Sequence, residues 1–205
     1  MMKPTFIWDL DGTLLDSYAA ILAGIQETYE QFDIPFDREA ITAFILKYSV
    51  KDLLTRDAAT YGLDSQELNR VRATSLKEKN TQIPLMDGAR EILAWTAEEG
   101  IQNFVYTHKS DNAFQVLTDL GIDRYFTEIL TSDSGFERKP NPEALLYLID
   151  KYQLDHSQTY YVGDRLLDVE TAIHAGISSI NLQIDGLDQN QKISHLLEIK
   201  RLFAS

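Results

Sequence analysis

Short apolar segments alternate along most of the chain with longer segments whose apolar residues recur at helical spacing. The short segments end at polar or turn-forming residues, which is typical of buried strands. The predicted strands are Thr5–Trp8, 101–107, 128–131, Thr159–Gly163 and 178–182. The predicted helices between them are 89–99, 111–120, 142–152 and 166–175. Strands that alternate with helices predict an α/β fold with a doubly wound, mostly parallel sheet.

Residues 16–79 interrupt this alternation because they contain no stretch with the character of a strand. Apolar residues recur there at helical spacing instead. The residues that set the spacing are Ile21, Ile25, Tyr29, Phe32, Ile41, Phe44 and Ile45. A crossover of this length is several times longer than the usual connection and predicts a small domain of its own. We therefore expect a helical domain at residues 16–82, inserted into an α/β core formed by residues 1–15 and 83–205.

Two further segments border the predicted core. Residues 80–85 are expected to form the hinge through which the chain returns to the sheet. Residues 188–203 are predicted to form a final surface helix. The chain shows neither an internal repeat nor a low-complexity tract.

Acidic residues outnumber basic ones, with 32 Asp and Glu against 19 Lys and Arg and a formal net charge of −13. This balance disfavours nucleic acids and anionic membranes as partners, since both attract basic surfaces. No apolar run approaches the roughly 20 residues of a membrane span, and the apolar start is too short for a signal peptide. The absence of Cys excludes disulfide scaffolds, Cys-ligated metals and thiol catalysis. We expect a soluble cytoplasmic protein, or one that collects a divalent cation.

The first predicted strand ends in two carboxylates that are separated by one residue. Asp9 and Asp11 are two positions apart, and residues at this spacing point to the same side of a strand. Two carboxylates at the end of a buried strand need partners, because otherwise their pKa values rise. Gly12 then allows a sharp turn or the close approach of a ligand. A strand exit with ordinary solvated aspartates is the alternative.

Further polar residues stand where later strands end or where helices begin. Thr107 ends the second predicted strand, and a hydroxyl there with nearby backbone N–H groups can hold a phosphate. Lys139 precedes the helix predicted at 142–152. Asp164 and Asp168 flank the start of another helix, where a capping role is the simple alternative. Open α/β sheets bind ligands at the carboxyl ends of their strands, so we expect these groups to meet there.

The charges of these groups predict a metal ion. The four aspartates contribute four negative charges and Lys139 one positive charge, which leaves a net charge of −3. A phosphate dianion would not enter such a site unaided. A divalent cation with oxygen ligands is therefore expected, and Mg²⁺ suits carboxylates, phosphate and water.

At this point the sequence resembles the haloacid dehalogenase superfamily of hydrolases. The segment Asp-Leu-Asp-Gly-Thr at 9–13, then Thr107, Lys139, Asp164 and Asp168, match its four ordered motifs. The resemblance covers nearly the whole chain and includes a helical cap inserted between the first two motifs, on a Rossmann-like core. The stretches that favour its phosphoglycolate phosphatase-like branch are 120–122, 139–142 and 175–177. The resemblance implies a Mg²⁺-dependent phosphatase that acts on a small phosphorylated metabolite.

The resemblance also implies the residues of the chemical step. Asp9 would be the nucleophile that forms an aspartyl-phosphate. Asp11 would be the general acid and then the general base. The metal ligands would be the side chains of Asp9 and Asp164 and the backbone carbonyl of Asp11.

The same resemblance implies the residues that bind phosphate. Thr107 and Lys139 would hold the transferring phosphoryl group, with His108 beside them. Asp168 would act on the metal through water or hold Lys139. The chain departs from the family pattern in two places, because His108 stands where relatives often have Asn and Arg138 where they often have Gly. The first departure either tunes the leaving-group pocket or is a tolerated loop residue.

Other functions remain as alternatives. The nearest is a phosphomutase of the β-phosphoglucomutase type, but these carry a His twelve residues after the nucleophile, where this chain has Ile21. A phospho-accepting receiver module is shorter and has its phosphorylated Asp on a later strand. Dehalogenation needs no acid at the position of Asp11. A non-catalytic relative that binds a partner through its cap would not need the full set of motifs.

Substrate choice is expected to lie in the cap. Lys47 and Lys51 are candidates to meet an anionic leaving group, with solvated lysines at a helix end as the alternative. Phosphoglycolate, a sugar phosphate, a nucleotide and pyrophosphate all stay open as substrates. We expect a monomer or a weak homodimer.

Overall fold

The computed structural model describes residues 3–79 and 83–203. The chain divides into two compact units. One is formed by the residues up to Asp16 together with those from Pro84 onward, and the other is Ser17–Ile83. Residues 80–82 of the predicted hinge lie outside the described residues. The assignment of the helical unit as a cap stays a prediction.

The unit Ser17–Ile83 is built from helices around an apolar core of its own. Its helices are α1 (Tyr18–Gln31), α2 (Arg38–Lys47), α3 (Val50–Tyr61) and α4 (Ser65–Lys79). Ile25, Leu53 and Leu68 are fully buried in this core, in agreement with the helical spacing of the apolar residues. A capping box between Ser49 and Asp52 sets the start of α3.

The other unit contains a parallel sheet. In the part of the chain that the structure describes, the strand order is β3-β2-β1-β4-β5-β6 and every neighbouring pair is parallel. The strands are β1 (Thr5–Trp8), β2 (Gln102–Tyr106), β3 (Glu128–Leu130), β4 (Thr159–Gly163), β5 (Ser178–Asn181) and β6 (Asn190–Lys192). Strand β1 lies between β2 and β4 and is buried along its whole length. This sheet confirms the predicted doubly wound α/β fold.

Helices of the sheet unit follow the strands and bury apolar faces. Their bounds are α5 (Ala89–Glu98), α6 (Asn112–Asp119), α7 (Glu143–Tyr152), α8 (Leu166–His174) and α9 (Glu198–Phe203). Leu145 and Leu148 of α7 pack in one cluster with Ile7, Phe104 and Tyr161 of the sheet. No helix of the described residues is long and apolar enough to cross a membrane.

The prediction of a surface helix at 188–203 is wrong over its first part. The segment Asn190–Lys192 is strand β6, and a helix forms only at Glu198–Phe203. The backbone N–H of Ile193 donates to the carbonyl of Asn181, and Ile193 is buried. Polar residues at an edge strand leave little alternation of apolar and polar positions, so the pattern did not indicate a strand.

The chain leaves and re-enters the sheet unit at one place. The backbone N–H of Asp16 donates to the carbonyl of Pro84 at 2.9 Å, and that of Met86 donates to the carbonyl of Leu14 at 2.9 Å. Leu15 and Leu85 form an antiparallel bridge between these bonds. The two ends of the inserted segment are therefore joined through the backbone of the sheet unit itself.

Candidate active site

Three buried polar residues follow the three central strands of the sheet. Asp9 comes directly after β1, Thr107 after β2 and Asp164 after β4, and each is at most 3% exposed. The backbone N–H of Asp9 donates to the carbonyl of Val162 at 2.8 Å, which extends the pairing of β1 and β4 by one residue. Because the strands are parallel and adjacent, their carboxyl ends bring these side chains to one edge of the sheet.

Lys139 places an ammonium group between two of the aspartates. Its Nζ lies 2.9 Å from Oδ1 of Asp9 and 2.8 Å from Oδ1 of Asp168. The side chains of all three residues are almost completely buried. The rings of Tyr106 and Tyr161 also approach the ammonium, with centroids at 5.2 and 5.1 Å. Residues that are 130 positions apart in the chain thus form one ion cluster.

Asp168 holds this cluster to the start of helix α8. Its Oδ2 accepts hydrogen bonds from the backbone N–H groups of Asp164 at 3.2 Å and Arg165 at 3.0 Å. Its Oδ1 accepts from Lys139. A Cβ atom at Gly163 would overlap the side chain of Asp168, so the end of β4 needs a glycine for this close approach.

Burial and charge give the three members of the cluster different titration behaviour. Burial raises the pKa of Asp9, and the attraction of Lys139 offsets this only in part. Burial also opposes ionisation of Asp168, but Lys139 and the backbone hydrogen bonds outweigh it and lower its pKa. Burial disfavours the charged form of Lys139, yet the two carboxylates prevail and its pKa is raised. Lys139 and Asp168 are thus favoured in their charged forms, and Asp9 is the carboxylate whose charge has the weaker support.

Sequence reasoning missed Lys109, which the structure places beside Asp11. The Nζ of Lys109 lies 3.4 Å from Oδ1 of Asp11, and its side chain is 3% exposed against 24% for that of Asp11. The backbone N–H of Lys109 donates to Oγ1 of Thr107 at 3.1 Å, so the lysine is part of the same turn. Its position two residues after Thr107 was the available signal. With this second cation, the predicted group of four aspartates has a net charge of −2 instead of −3.

His108 contacts Lys139 through its ring. The Nε2 atom of His108 accepts a hydrogen bond from the backbone N–H of Lys139 at 3.0 Å. The ring also meets that of Tyr106 edge to face, with 6.2 Å between centroids. Burial and the nearby cations Lys139 and Arg138 hold the pKa of His108 far below its ordinary value. Phosphate binding by His108 stays a prediction, and the contact with Lys139 is a feature that the sequence did not indicate.

The aspartates fit a divalent cation. Carboxylate oxygens of Asp9, Asp164 and Asp168 lie within 4.8 Å of one another, and all three residues are buried. Both oxygens of Asp168 are engaged by Lys139 and by backbone N–H groups. The Oδ2 atom of Asp9 is buried and has no hydrogen-bond partner among the described residues. The buried carboxylates of Asp9 and Asp164 supply hard oxygen donors close to one another, and such donors suit Mg²⁺.

The remaining predicted residues lie in the helical unit. Lys47 is the last residue of α2 and Lys51 lies in the first turn of α3, and both are exposed. The Nζ of Lys47 lies 5.3 Å from the ring centroid of its neighbour Tyr48. A role for Lys47 and Lys51 in substrate choice stays a prediction.

The strand order and the position of the cluster define the class of protein. An order of β3-β2-β1-β4-β5-β6 is that of a Rossmann-like doubly wound sheet, which binds ligands where the order reverses, between β1 and β4. The buried ion cluster lies at this point. The chain belongs to the family of haloacid dehalogenase-like hydrolases, whose family model matches residues 6–182. This confirms the resemblance that the four motifs indicate.

Individual relatives agree with this assignment. A phosphoglycolate phosphatase of Pseudomonas fluorescens is 28% identical over 186 residues, which cover 86% of this chain and 68% of that protein. The NMR structure of the core domain of a Streptococcus pneumoniae TIGR4 protein is 38% identical, with a TM-score of 0.60, and covers 100% of this chain and 98% of that one. The crystal structure of a HAD-superfamily hydrolase, subfamily IA, variant 1, from Geobacter sulfurreducens is 25% identical, with a TM-score of 0.78. It covers 98% of this chain and 97% of that one.

Proposed function

We propose that this hydrolase is a Mg²⁺-dependent phosphatase that cleaves a small phosphomonoester through an aspartyl-phosphate on Asp9. The observation that carries the proposal is the ion cluster in which Lys139 joins Asp9 to Asp168 while Oδ2 of Asp9 is left without a hydrogen bond. A nucleophilic carboxylate needs one oxygen available for attack and a fixed orientation. The cluster supplies both, because Oδ1 of Asp9 is held by Lys139 at 2.9 Å.

The chemical step can be written with the residues of this chain. Oδ2 of Asp9 attacks phosphorus, the bond between phosphorus and the ester oxygen breaks, and Asp11 gives its proton to the leaving oxygen. Water then attacks phosphorus of the aspartyl-phosphate, Asp11 takes a proton from it, and inorganic phosphate leaves with Asp9 restored. Thr107 and Lys139 would bind the phosphoryl oxygens during both steps.

The charge of the site is the main obstacle to binding a phosphate, and the residues that would reduce it can be named. The side chains of Asp9 and Asp164 and the backbone carbonyl of Asp11 would hold Mg²⁺. The ion, when bound, neutralises charge that develops on the transferring phosphoryl group. Lys139 supplies a positive charge 2.9 Å from Oδ1 of Asp9. We expect the loss of either cation to reduce turnover strongly.

Phosphoglycolate is the first substrate to test, because several curated relatives of this chain carry that activity in their names. We propose that Lys47 and Lys51 contact an anionic leaving group such as its carboxylate. The protein is expected to act in the cytoplasm as a monomer or weak homodimer. These finer assignments rest on the relatives and on the sequence.

The decisive experiment measures phosphate release from a panel of phosphomonoesters, with Mg²⁺ and with EDTA. The panel contains phosphoglycolate, sugar phosphates, nucleotides and p-nitrophenyl phosphate, with pyrophosphate as a further substrate. Release that requires Mg²⁺ supports the proposal, and the ranking of kcat/KM identifies the leaving group. Release that is equal in EDTA would contradict the assigned metal. Isomerisation of a sugar phosphate without phosphate release would favour a mutase instead.

Asp11→Asn should separate the two halves of the reaction. An alkoxide leaving group needs the proton from Asp11, whereas p-nitrophenolate leaves without one, so the loss with alkyl phosphates should be about 10²- to 10⁴-fold. With p-nitrophenyl phosphate we expect a burst of product equal to the enzyme concentration, because the first step proceeds and the activation of water fails. Stopped-flow absorbance measures the burst.

The control for Asp11→Asn is Asp16→Asn, which makes the same chemical change at an exposed residue five positions further along. This variant should keep wild-type turnover on both kinds of ester. Equal losses on alkyl and nitrophenyl esters in Asp11→Asn, with no burst, would show that Asp11 is not the general acid and base.

A further inference from the structure

His108 and Lys139 are joined by a hydrogen bond that runs from backbone to ring. The N–H of Lys139 donates to Nε2 of His108 over 3.0 Å, across 31 positions of the chain. His108 lies in the turn after β2, and Lys139 lies in the segment before α7. The bond therefore connects two separate loops at the edge of the sheet where the ion cluster lies.

This bond specifies the chemical form of the imidazole. A ring nitrogen accepts a hydrogen bond only when it carries a lone pair, so Nε2 is unprotonated and the neutral ring carries its proton on Nδ1. The imidazolium has donors at both nitrogens and would face the N–H of Lys139 with a second donor. The charged groups that act on the ring, Lys139, Arg138 and Arg165, are all cations and oppose the imidazolium.

The bond also completes the attachment of Lys139. Its ammonium group is held by Asp9 at 2.9 Å and by Asp168 at 2.8 Å. A long flexible side chain alone leaves its backbone free to shift, and an error of about 1 Å at a reacting group can cost about 10²-fold in rate. The ring of His108 is itself placed by its edge-to-face contact with Tyr106. Lys139 is thus fixed at its charged end and at its backbone by different elements.

We propose that His108 is a positioning residue which, as the neutral Nδ1–H tautomer, fixes the main chain of Lys139 and so the ammonium beside Asp9. The proposal deepens the phosphatase assignment, since the kinetic effect of His108 rests on the role of Lys139 in that reaction. The tautomer itself does not depend on any activity. Family resemblance alone does not assign this role, because relatives often have Asn at this position.

The tautomer can be measured directly. Long-range proton–nitrogen NMR spectra of protein labelled with nitrogen-15 on histidine distinguish a protonated Nδ1 from a protonated Nε2. His108→Asn identifies the signal by removing it, and the signals of the other three histidines remain as references. We expect the neutral Nδ1–H form of His108 to persist between about pH 5 and about pH 8. An Nε2–H tautomer, or a ring that becomes charged within this range, would overturn the proposal.

Two amide substitutions test the positioning role because they place their polar atoms differently. Glutamine can bring an amide oxygen close to the place of Nε2, whereas asparagine is shorter and its amide lies near the place of Nδ1. We expect His108→Gln to keep kcat/KM for p-nitrophenyl phosphate within about threefold of wild type. His108→Asn and His108→Leu should lose roughly 10- to 100-fold, mainly in kcat, at saturating Mg²⁺.

The comparison of these variants separates positioning from other roles. If Asn retained activity while Gln lost it, Nδ1 would be the important atom and the proposal would be wrong. If all three variants kept wild-type kinetics, the hydrogen bond would have no functional role. Thermal melts show whether any variant is unfolded. The comparison of kcat/KM then uses only the variants that are folded. An inactive wild type with the Nδ1–H tautomer would contradict the phosphatase assignment and leave the tautomer established.

Discussion

Asp9→Asn should abolish phosphate release from every ester of the panel, with turnover reduced on the order of 10⁴-fold or more. An amide oxygen is a poor nucleophile, and an acyl-phosphate cannot form on it in the same way. The change removes no other contact partner of phosphate, since Thr107 and Lys139 stay in place. Because the side chain of Asp9 would also hold Mg²⁺, turnover is measured at saturating Mg²⁺, where the lost activity reports the nucleophile and not substrate binding. Near-normal turnover would show that the nucleophile lies elsewhere.

The same substitution should leave the fold intact or make it more stable. Asp9 is a buried carboxylate whose pKa is raised by burial, so its negative charge is unfavourable for folding at neutral pH. Asparagine removes that charge, and Lys139 keeps its ion pair with Asp168 at 2.8 Å. Circular dichroism checks that the fold is kept, and thermal unfolding measures the change in melting temperature.

The matched control for Asp9→Asn is Asp150→Asn on the exposed side of α7. It should change neither turnover nor melting temperature. A large loss of stability in Asp9→Asn, absent from the control, would show that the charge of Asp9 is required for folding. The loss of turnover could then not be assigned to the nucleophile.

Lys139→Met should reduce both stability and turnover. Methionine keeps most of the length of the lysine side chain but leaves the carboxylates of Asp9 and Asp168 buried without their shared cation. Removing one member of a buried ion cluster costs about 3–5 kcal/mol in free energy of unfolding. Turnover should fall at least as strongly as stability, because the phosphoryl group would lose a cation that neutralises its charge. Chemical denaturation in urea and phosphate release measure the two effects.

The pH dependence of the unfolding free energy tests whether unpaired carboxylates cause the loss of stability in Lys139→Met. In the wild type the lowered pKa of Asp168 contributes stability that is present above the unfolded value of 3.8 and is lost as the pH falls through the folded value. Without Lys139, burial and mutual repulsion raise the folded pKa values of Asp168 and Asp9. Protonation then stabilises the variant. The difference in unfolding free energy between wild type and Lys139→Met should therefore become smaller as the pH falls from 7 towards about 4.

The control for Lys139→Met is Lys151→Met. Lys151 also forms an ion pair, with its Nζ 2.8 Å from Glu128, but this pair is partly exposed, at 44% for Lys151 and 20% for Glu128. Exposed pairs contribute little to stability, because water screens them. The control should therefore lose far less stability than Lys139→Met. If the difference in unfolding free energy between wild type and Lys139→Met did not change with pH, its cause would be lost packing and not unpaired carboxylates.

The sequence predicted the fold and most of the candidate site because both depend on local patterns. The continuous apolar run of β1 and the carboxylates at positions 9 and 11 are visible within ten residues. The burial of Lys109 is not, because it depends on how the turn after β2 meets the end of β1. An exposed lysine after a strand has the same local sequence. The same limit explains β6, whose polar residues acquire a partner only when β5 is beside them.

The electrostatic order within the cluster also lies beyond local sequence. Asp9 and Asp168 are both buried aspartates, yet the pKa of one is raised and that of the other is lowered. Repulsion by Asp168 helps to raise the pKa of Asp9, whereas the backbone N–H groups at the start of α8 donate only to Asp168 and help to lower its pKa. The spacing of the motifs predicts both residues at the site. Only the structure shows that both oxygens of Asp168 accept hydrogen bonds, whereas Oδ2 of Asp9 accepts none among the described residues.

The closed attachment at Asp16 and Pro84 has a consequence for how this protein can evolve. Because the inserted segment starts and ends side by side on the sheet unit, the entropy that the sheet unit loses on closing this connection grows only slowly with the number of inserted residues. Insertions, deletions or exchange of the whole helical segment can therefore be inherited without moving Asp9 or Asp164. The residues of the ion cluster and the inserted helical segment can therefore change independently in evolution. The two ends of the segment are held together by two backbone hydrogen bonds.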